Sequence, residues 1–178
     1  WVTPTLAVSD TFYAESNGGC ASTRVRVIAI VTAIPSPPTA ANVSICGSGT
    51  VDLSAVSTEQ VYWYTAASGG TLLNTGTIFT TPVISSTTTY YIEAGYTCRS
   101  SRTSVQAIVL PLPAAPTASD VSRCGPGTVD LLANSPELIS WFDAATGGNL
   151  LGTGDAFTTP YISSTTPFYA EAGTTCKS

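Results

Sequence analysis

A 78-residue step runs through this chain without insertion or deletion. Pro4, Pro82 and Pro160 keep it, as do Tyr13, Tyr91 and Tyr169, Glu15, Glu93 and Glu171, and Cys20, Cys98 and Cys176. A period of this length held so strictly identifies an array of one repeated structural unit. Between Ser36–Ser100 and Ala114–Ser178, 40 of 65 aligned positions are identical, mainly Gly, Pro, Cys, Trp, strand apolars and a Thr/Ser turn. Such positions make a fold rather than a ligand site. The expected division is residues 1–34 as the closing part of one unit, 35–112 as a complete unit, and 113–178 as a unit lacking its last strand. That division reads as a window on a longer array. The joints, Ile34-Pro35-Ser36-Pro37-Pro38 and Pro111-Leu112-Pro113-Ala114-Ala115-Pro116, are short and stiff because proline fixes φ.

Within one unit, apolar and polar residues alternate over short stretches separated by Gly-rich turns. Expected strands are Ala41 to Ile45, Thr50 to Val56, Val61 to Tyr64, Thr71 to Leu73, Ile78 to Ile84, Thr88 to Ala94 and Thr103 to Leu110. About seven strands in 78 residues, with turns every 8–12 residues, is the pattern of a β-sandwich. The expected fold class is therefore all-β. Trp63 and Trp141 are expected core centres, because Val61 and Trp63 keep their character in Ile139 and Trp141 while Tyr62 becomes Ser140. Tyr90 and Phe168 are expected core partners. With a turn at Tyr96 to Arg99, Glu93 lies opposite Arg102, and Glu15 opposite Arg24, as cross-strand ion pairs that fix register.

Charged residues make up only 10%, His and Met are absent, and the net charge is −5. Six scattered Lys and Arg form no basic stripe, which argues against nucleic acid. No apolar run is long enough to span a membrane. Catalytic signatures are missing: no His for a triad, no phosphate loop and no Gly-x-Ser-x-Gly. No cofactor and no metal are expected. The repeated glutamates suit a structural pair better than half of a glycosidase pair. Asp52 and Asp130 recur without neighbouring carboxylates that would complete a calcium site. Tyr62, Tyr64, Tyr91 and Tyr96 are the candidates for stacking on sugars, although Tyr62 and Tyr96 become Ser140 and Thr174 in the next unit.

The five cysteines fall at alternating spacings of 26 and 52. The simplest expectation is one disulfide per unit, Cys46–Cys98 and Cys124–Cys176, with the partner of Cys20 outside the chain. The rival frame joins Cys20 to Cys46 and Cys98 to Cys124. Either implies an oxidising compartment.

At Val43-Ser44-Ile45-Cys46-Gly47-Ser48-Gly49-Thr50-Val51, Val61-Tyr62-Trp63-Tyr64, Gly69-Gly70-Thr71-Leu72-Leu73 and Thr87-Thr88-Thr89-Tyr90-Tyr91 with Cys98, the unit resembles a known family. It is similar to the tandem immunoglobulin-like repeats of giant cell-surface and secreted adhesins of Bacteroidota-type bacteria. The resemblance implies a non-catalytic rod or stalk in a surface filament, exported by the type IX system and in some cases linked to gliding. It also implies, as an alternative, a spacer in a secreted polysaccharide-degrading enzyme; the other alternative, a carbohydrate-binding module, rests on the tyrosines named above. Its expected partners are identical neighbouring units, surface glycans and laterally associated chains, outside the cell or at its surface. In one respect the chain departs from immunoglobulin domains, whose disulfide crosses the core between strands B and F. Cys46 precedes the second expected strand and Cys98 follows the sixth, at opposite ends of a standard sandwich.

Overall fold

The computed structural model describes residues 2–178; Trp1, where the first copy of the repeated stretch begins, lies outside them. In chain order the strands are β1 (Asp10–Ala14), β2 (Val25–Ala29), β3 (Thr39–Ala40), β4 (Val43–Cys46), β5 (Asp52–Val56), β6 (Val61–Tyr64), β7 (Leu72–Thr75) and β8 (Ile78–Thr80). They continue with β9 (Thr88–Ala94), β10 (Thr103–Leu110), β11 (Thr117–Ala118), β12 (Asp130–Asn134), β13 (Ile139–Phe142), β14 (Leu150–Thr153), β15 (Ala156–Thr158) and β16 (Tyr169–Ala172). No helix occurs among the described residues. The chain forms two compact units.

The first unit comprises the segment ending at Asn42, Asp52–Thr80 and Thr89–Gln106. Its β1 and β2 form an antiparallel hairpin in which Asp10 faces Ala29 and Ala14 faces Val25. On β2, Val25 is 63% and Val27 55% exposed. The rest of the unit is a sandwich. One sheet has the order β3-β5-β8, and on the other side β9, β6 and β7 lie side by side. Alternation does what the sequence leads one to expect. Leu53 and Ala55 of β5, Val61 and Trp63 of β6, and Tyr90, Ile92 and Ala94 of β9 are all buried. The Phe79 ring lies 5.4 Å from that of Trp63 and 5.1 Å edge-on from that of Tyr90, joining the two layers. Trp63 satisfies its indole N–H by donating to Gly76 O at 2.8 Å, so the largest core side chain leaves no polar atom stranded.

The second unit comprises Val43–Val51, Thr81–Thr88 and Ala107–Ser178. In it β4 runs parallel to the second half of β10, with Val43 opposite Ala107 and Cys46 opposite Leu110. Sheets of order β11-β12-β15 and β14-β13-β16 follow. Trp141, Ile139 and Ala133 make the buried cluster, with Leu131, Phe157 and Ala170 packed against it. Phe157 sits 5.6 Å from both Trp141 and Phe168. Trp141 repeats the Trp63 arrangement, donating to Gly154 O at 2.9 Å.

Two elements depart from the expected list. The strand expected over Ile78 to Ile84 ends at Thr80, and in place of the first expected strand, Ala41 to Ile45, the chain forms β3 just before it and β4 over Val43–Cys46. The pair β3, just after Pro37-Pro38, joins the β5 sheet antiparallel, whereas β4 joins β10 in parallel. The break falls at Ala41-Asn42, and Asn42 Oδ1 accepts the Gln106 N–H at 2.8 Å, closing the gap that the change of sheet opens.

Candidate functional site

The cysteines give the chain its most distinctive covalent feature. Cys46 is bridged to Cys176, with Cα atoms 5.5 Å apart and 130 residues between them in sequence. Cys20, Cys98 and Cys124 are free. The expected pairings Cys46–Cys98 and Cys124–Cys176 are therefore corrected, and so is the rival frame. The reason is the parallel course of β4. It places Cys46 beside Leu110, at the far end of β10, while Cys98 lies in the turn before β10 begins at Thr103. An eight-residue strand spans about 25 Å, and bridged cysteines need Cα atoms within about 7 Å.

The turn that carries the last cysteine of each repeat is built the same way twice. Gly95 and Gly173 have φ of 123° and 104°, and a Cβ at either would run into the carbonyl oxygen of Cys98 or Cys176. Only glycine fits there. Ser100 and Ser178 close the turn: each hydroxyl accepts the N–H of Ala94 or Ala172, at 2.9 and 3.0 Å, and each backbone N–H returns a bond to the same residue's carbonyl. The turn at the end of each of these two repeats thus presents its cysteine from a fixed backbone.

Around the middle repeat's Glu93 lies a cluster of charge and aromatic rings. Arg102 Nε donates to Glu93 Oε2 at 3.0 Å, and both side chains are only 13% exposed. The same guanidinium donates through Nη1 to Ala66 O and Gly69 O, at 2.5 and 2.6 Å, and lies 3.5 Å over the Tyr64 ring. Tyr64 Oη donates to Glu93 Oε1 at 3.0 Å. Burial, the hydrogen bond to Glu93 and that carboxylate's charge raise the Tyr64 phenol above the ordinary 10.0, against the lowering pull of Arg99 and Arg102. Arg99 covers the Tyr62 ring at 3.4 Å. In the first repeat Arg24 donates to Glu15 at 2.9 Å, but at 68% and 37% exposure. In the third, Lys177 lies 3.6 Å from Glu171.

These contacts bear on the sugar-stacking candidates. One face of Tyr62 and one of Tyr64 are taken by guanidinium groups, and the Tyr64 hydroxyl is engaged. Tyr96 is 66% exposed and lies in the cysteine turn.

Two sets of residues carry roles that sequence reasoning missed. Thr80 and Thr158 donate to Asp52 and Asp130 at 2.5 and 2.6 Å, in register between β5 and β8 and between β12 and β15. Thr81 and Thr159 are buried and accept the N–H of Val51 and Val129, both at 3.1 Å. The repeated Phe-Thr-Thr-Pro motif was the available signal: its first threonine holds an aspartate and its second a backbone donor. Among the described residues no cluster of metal-ligating side chains forms. A recess of about 730 Å³ lies in the second unit, with Val129, Leu131, Trp141, Ile162 and Phe168 among its lining residues.

Sheets of short strands closed over a tryptophan, present twice in tandem, define an all-β pair of immunoglobulin-like sandwiches. The chain belongs to the family described as Ig-like domain CHU_C associated, whose model matches residues 35–111 and 113–178. No curated protein matches it. Among solved structures, titin domains A168–A170 are 15% identical over 95% of this chain and 70% of that one, with a TM-score of 0.43. Titin Z1Z2 in complex with telethonin is 13% identical over 82% and 94%, with a TM-score of 0.32. A DIP-gamma IG1+IG2 fragment is 10% identical over 78% and 90%, at 0.29.

Proposed function

We propose that this chain is a non-catalytic load-bearing stretch of an extracellular bacterial filament or adhesin stalk, in which cysteine bridges tie one repeat to the next. In this reading residues 1–34 close one module, 35–112 form a complete one, and 113–178 form one without its last strand. Neighbouring modules are its partners, type IX export its route, and the cell surface its location. The observation that carries the reading is the bridge from Cys46 of the complete repeat to Cys176 of the following one. A disulfide is maintained in an oxidising compartment. A bridge that spans consecutive repeats shields everything between its ends from tension, which is a property useful to a stalk and irrelevant to a catalyst.

Single-molecule stretching of the full chain from its termini tests this. The 130 residues spanned by the bridge correspond to about 430–470 Å of extended chain. Under oxidising conditions that length stays hidden at forces that unfold the sandwiches; addition of a reductant releases it. Equal contour lengths with and without reductant would sink the proposal.

A further inference from the structure

Alternation along β6, β9 and β10 turns one face of these strands away from the core. Trp63, Ile92 and Val105 are buried, so Tyr62, Tyr64, Tyr91, Glu93, Ser104 and Gln106 belong to the opposite face. The two arginines between β9 and β10 meet this face differently. Arg102 turns its donors inward, to Glu93 and two backbone carbonyls. Arg99 does not. Its guanidinium lies 3.4 Å over the Tyr62 ring, its side chain is 36% exposed, and Glu93 Oε1 stands 3.9 Å from its Nη1. That is too long for a hydrogen bond, and the Arg99 guanidinium donates none among the described residues. Glu93 is already engaged, with Arg102 on Oε2 and the Tyr64 hydroxyl on Oε1. One carboxylate beside two guanidiniums leaves the patch with an excess positive charge. In the next repeat Ser140 stands where Tyr62 does and Lys177 where Arg99 does. The shared fold therefore does not require a guanidinium supported on a ring. All of these middle-repeat residues lie within the matched stretch 35–111.

We propose that Arg99, held on Tyr62, binds the carboxylates of an acidic polysaccharide, a polyuronate, laid across this face. The ring supports the cation from one side, and the planar fork of N–H donors matches a carboxylate through two parallel hydrogen bonds. The neighbours select sugar. Ser104, exposed on β10, and half-buried Gln106 and Tyr91 bring hydroxyl and amide groups to the same face, and these pair with ring hydroxyls. A uronate carries one carboxylate and several hydroxyls on each ring, which is the mixture this face can meet. The chain's acidity lies mostly elsewhere. The first unit holds five carboxylates and four of the six basic side chains, a net −1 out of −5 for the chain, so long-range repulsion of a polyanion is small here.

The test is calorimetric titration of the full chain with polygalacturonate oligomers. The expected result is binding that weakens as salt rises and is lost when the same oligomers are methyl-esterified, which removes their charge and keeps their rings. Arg99→Ala weakens binding by about ten- to a hundredfold, the range for a hydrogen bond to a charged group, while keeping the thermal midpoint of the parent. Tyr62→Ser, which installs the next repeat's residue, weakens it by about threefold or more because the fork loses its support. Arg26→Ala, exposed on β2, leaves it unchanged. Absence of binding, or equal binding by Arg99→Ala, overturns the proposal. Poly-glutamate or dextran sulfate bound as tightly as the polyuronate overturns it too, since the ligand would then be any polyanion. Full binding by Arg99→Lys would reduce the site to a point charge, with the same consequence.

Discussion

Glu93 and Glu15 occupy the same repeat position and meet the same arginine position, yet their surroundings give them different weights. The Glu93–Arg102 pair is 13% exposed on both sides, and Arg102 also serves two backbone carbonyls. Removing either partner strands the other in a poorly hydrated place. Glu93→Ala or Arg102→Ala is expected to cost about 2–3 kcal/mol of stability in a denaturant titration. Glu15→Ala, at an exposed pair, is expected to cost under about 1 kcal/mol, and less at high salt. Equal costs would mean that the buried cluster contributes nothing beyond register. Tyr64 adds a pH signature. Its folded-state pKa is raised above 10.0, so the fold favours the neutral phenol. That contribution is fully present below the unfolded-state value and is lost as pH rises through the higher folded value. Stability is expected to decline on alkaline titration above about pH 10, and Tyr64→Phe to flatten that part of the curve. A profile unchanged by Tyr64→Phe would remove the tyrosine as the cause.

At the scale of elements, strand existence was legible because alternation and turn chemistry are local. Val61 to Tyr64, Thr88 to Ala94 and Thr103 to Leu110 are strands as read from the pattern. The core followed from them: Trp63, Tyr90 and Trp141 are buried, and Phe168 is half-buried. What local pattern does not carry is which sheet a strand joins. The two-residue β3 is too short to show a period, and nothing in Ala41 to Ile45 announces that the chain crosses between sheets at Asn42. The cysteine pairing was lost for the same reason, since it depends on β4 lying parallel to β10. The tryptophans offer a test of the element-level reading. Trp63 is fully buried, touches Phe79 and donates to Gly76. Trp63→Ala is expected to cost about 3–5 kcal/mol, whereas Trp141→Ala, whose indole lines a recess, is expected to cost less, because the recess leaves it fewer packed contacts to lose. Thermal melts of the two variants compare them directly; a larger loss at Trp141 would contradict this account of the two cores.

For the whole molecule, the covalent topology makes a count that separates the Cys46–Cys176 bridge from either two-bridge frame. With Cys46 bridged to Cys176 and Cys20, Cys98 and Cys124 free, the freshly purified chain under denaturing, non-reducing conditions should titrate three thiols, and five after reduction. One bridge inside each repeat would leave a single thiol. Substitution sharpens the contrast: Cys176→Ser liberates Cys46 and raises the count to four, where pairing within repeats would give two. The energetic consequence follows from the size of the loop. Closing 130 residues removes unfolded-state entropy equivalent to about 5 kcal/mol in the chain-entropy model. Cys46→Ser and Cys176→Ser should therefore destabilise the chain by similar amounts, since each opens the same loop, while Cys98→Ser leaves stability near that of the parent. If Cys98→Ser proved as costly as Cys46→Ser, the bridge would lie within the repeat after all, and the parallel placement of β4 beside β10 would have to be abandoned with it.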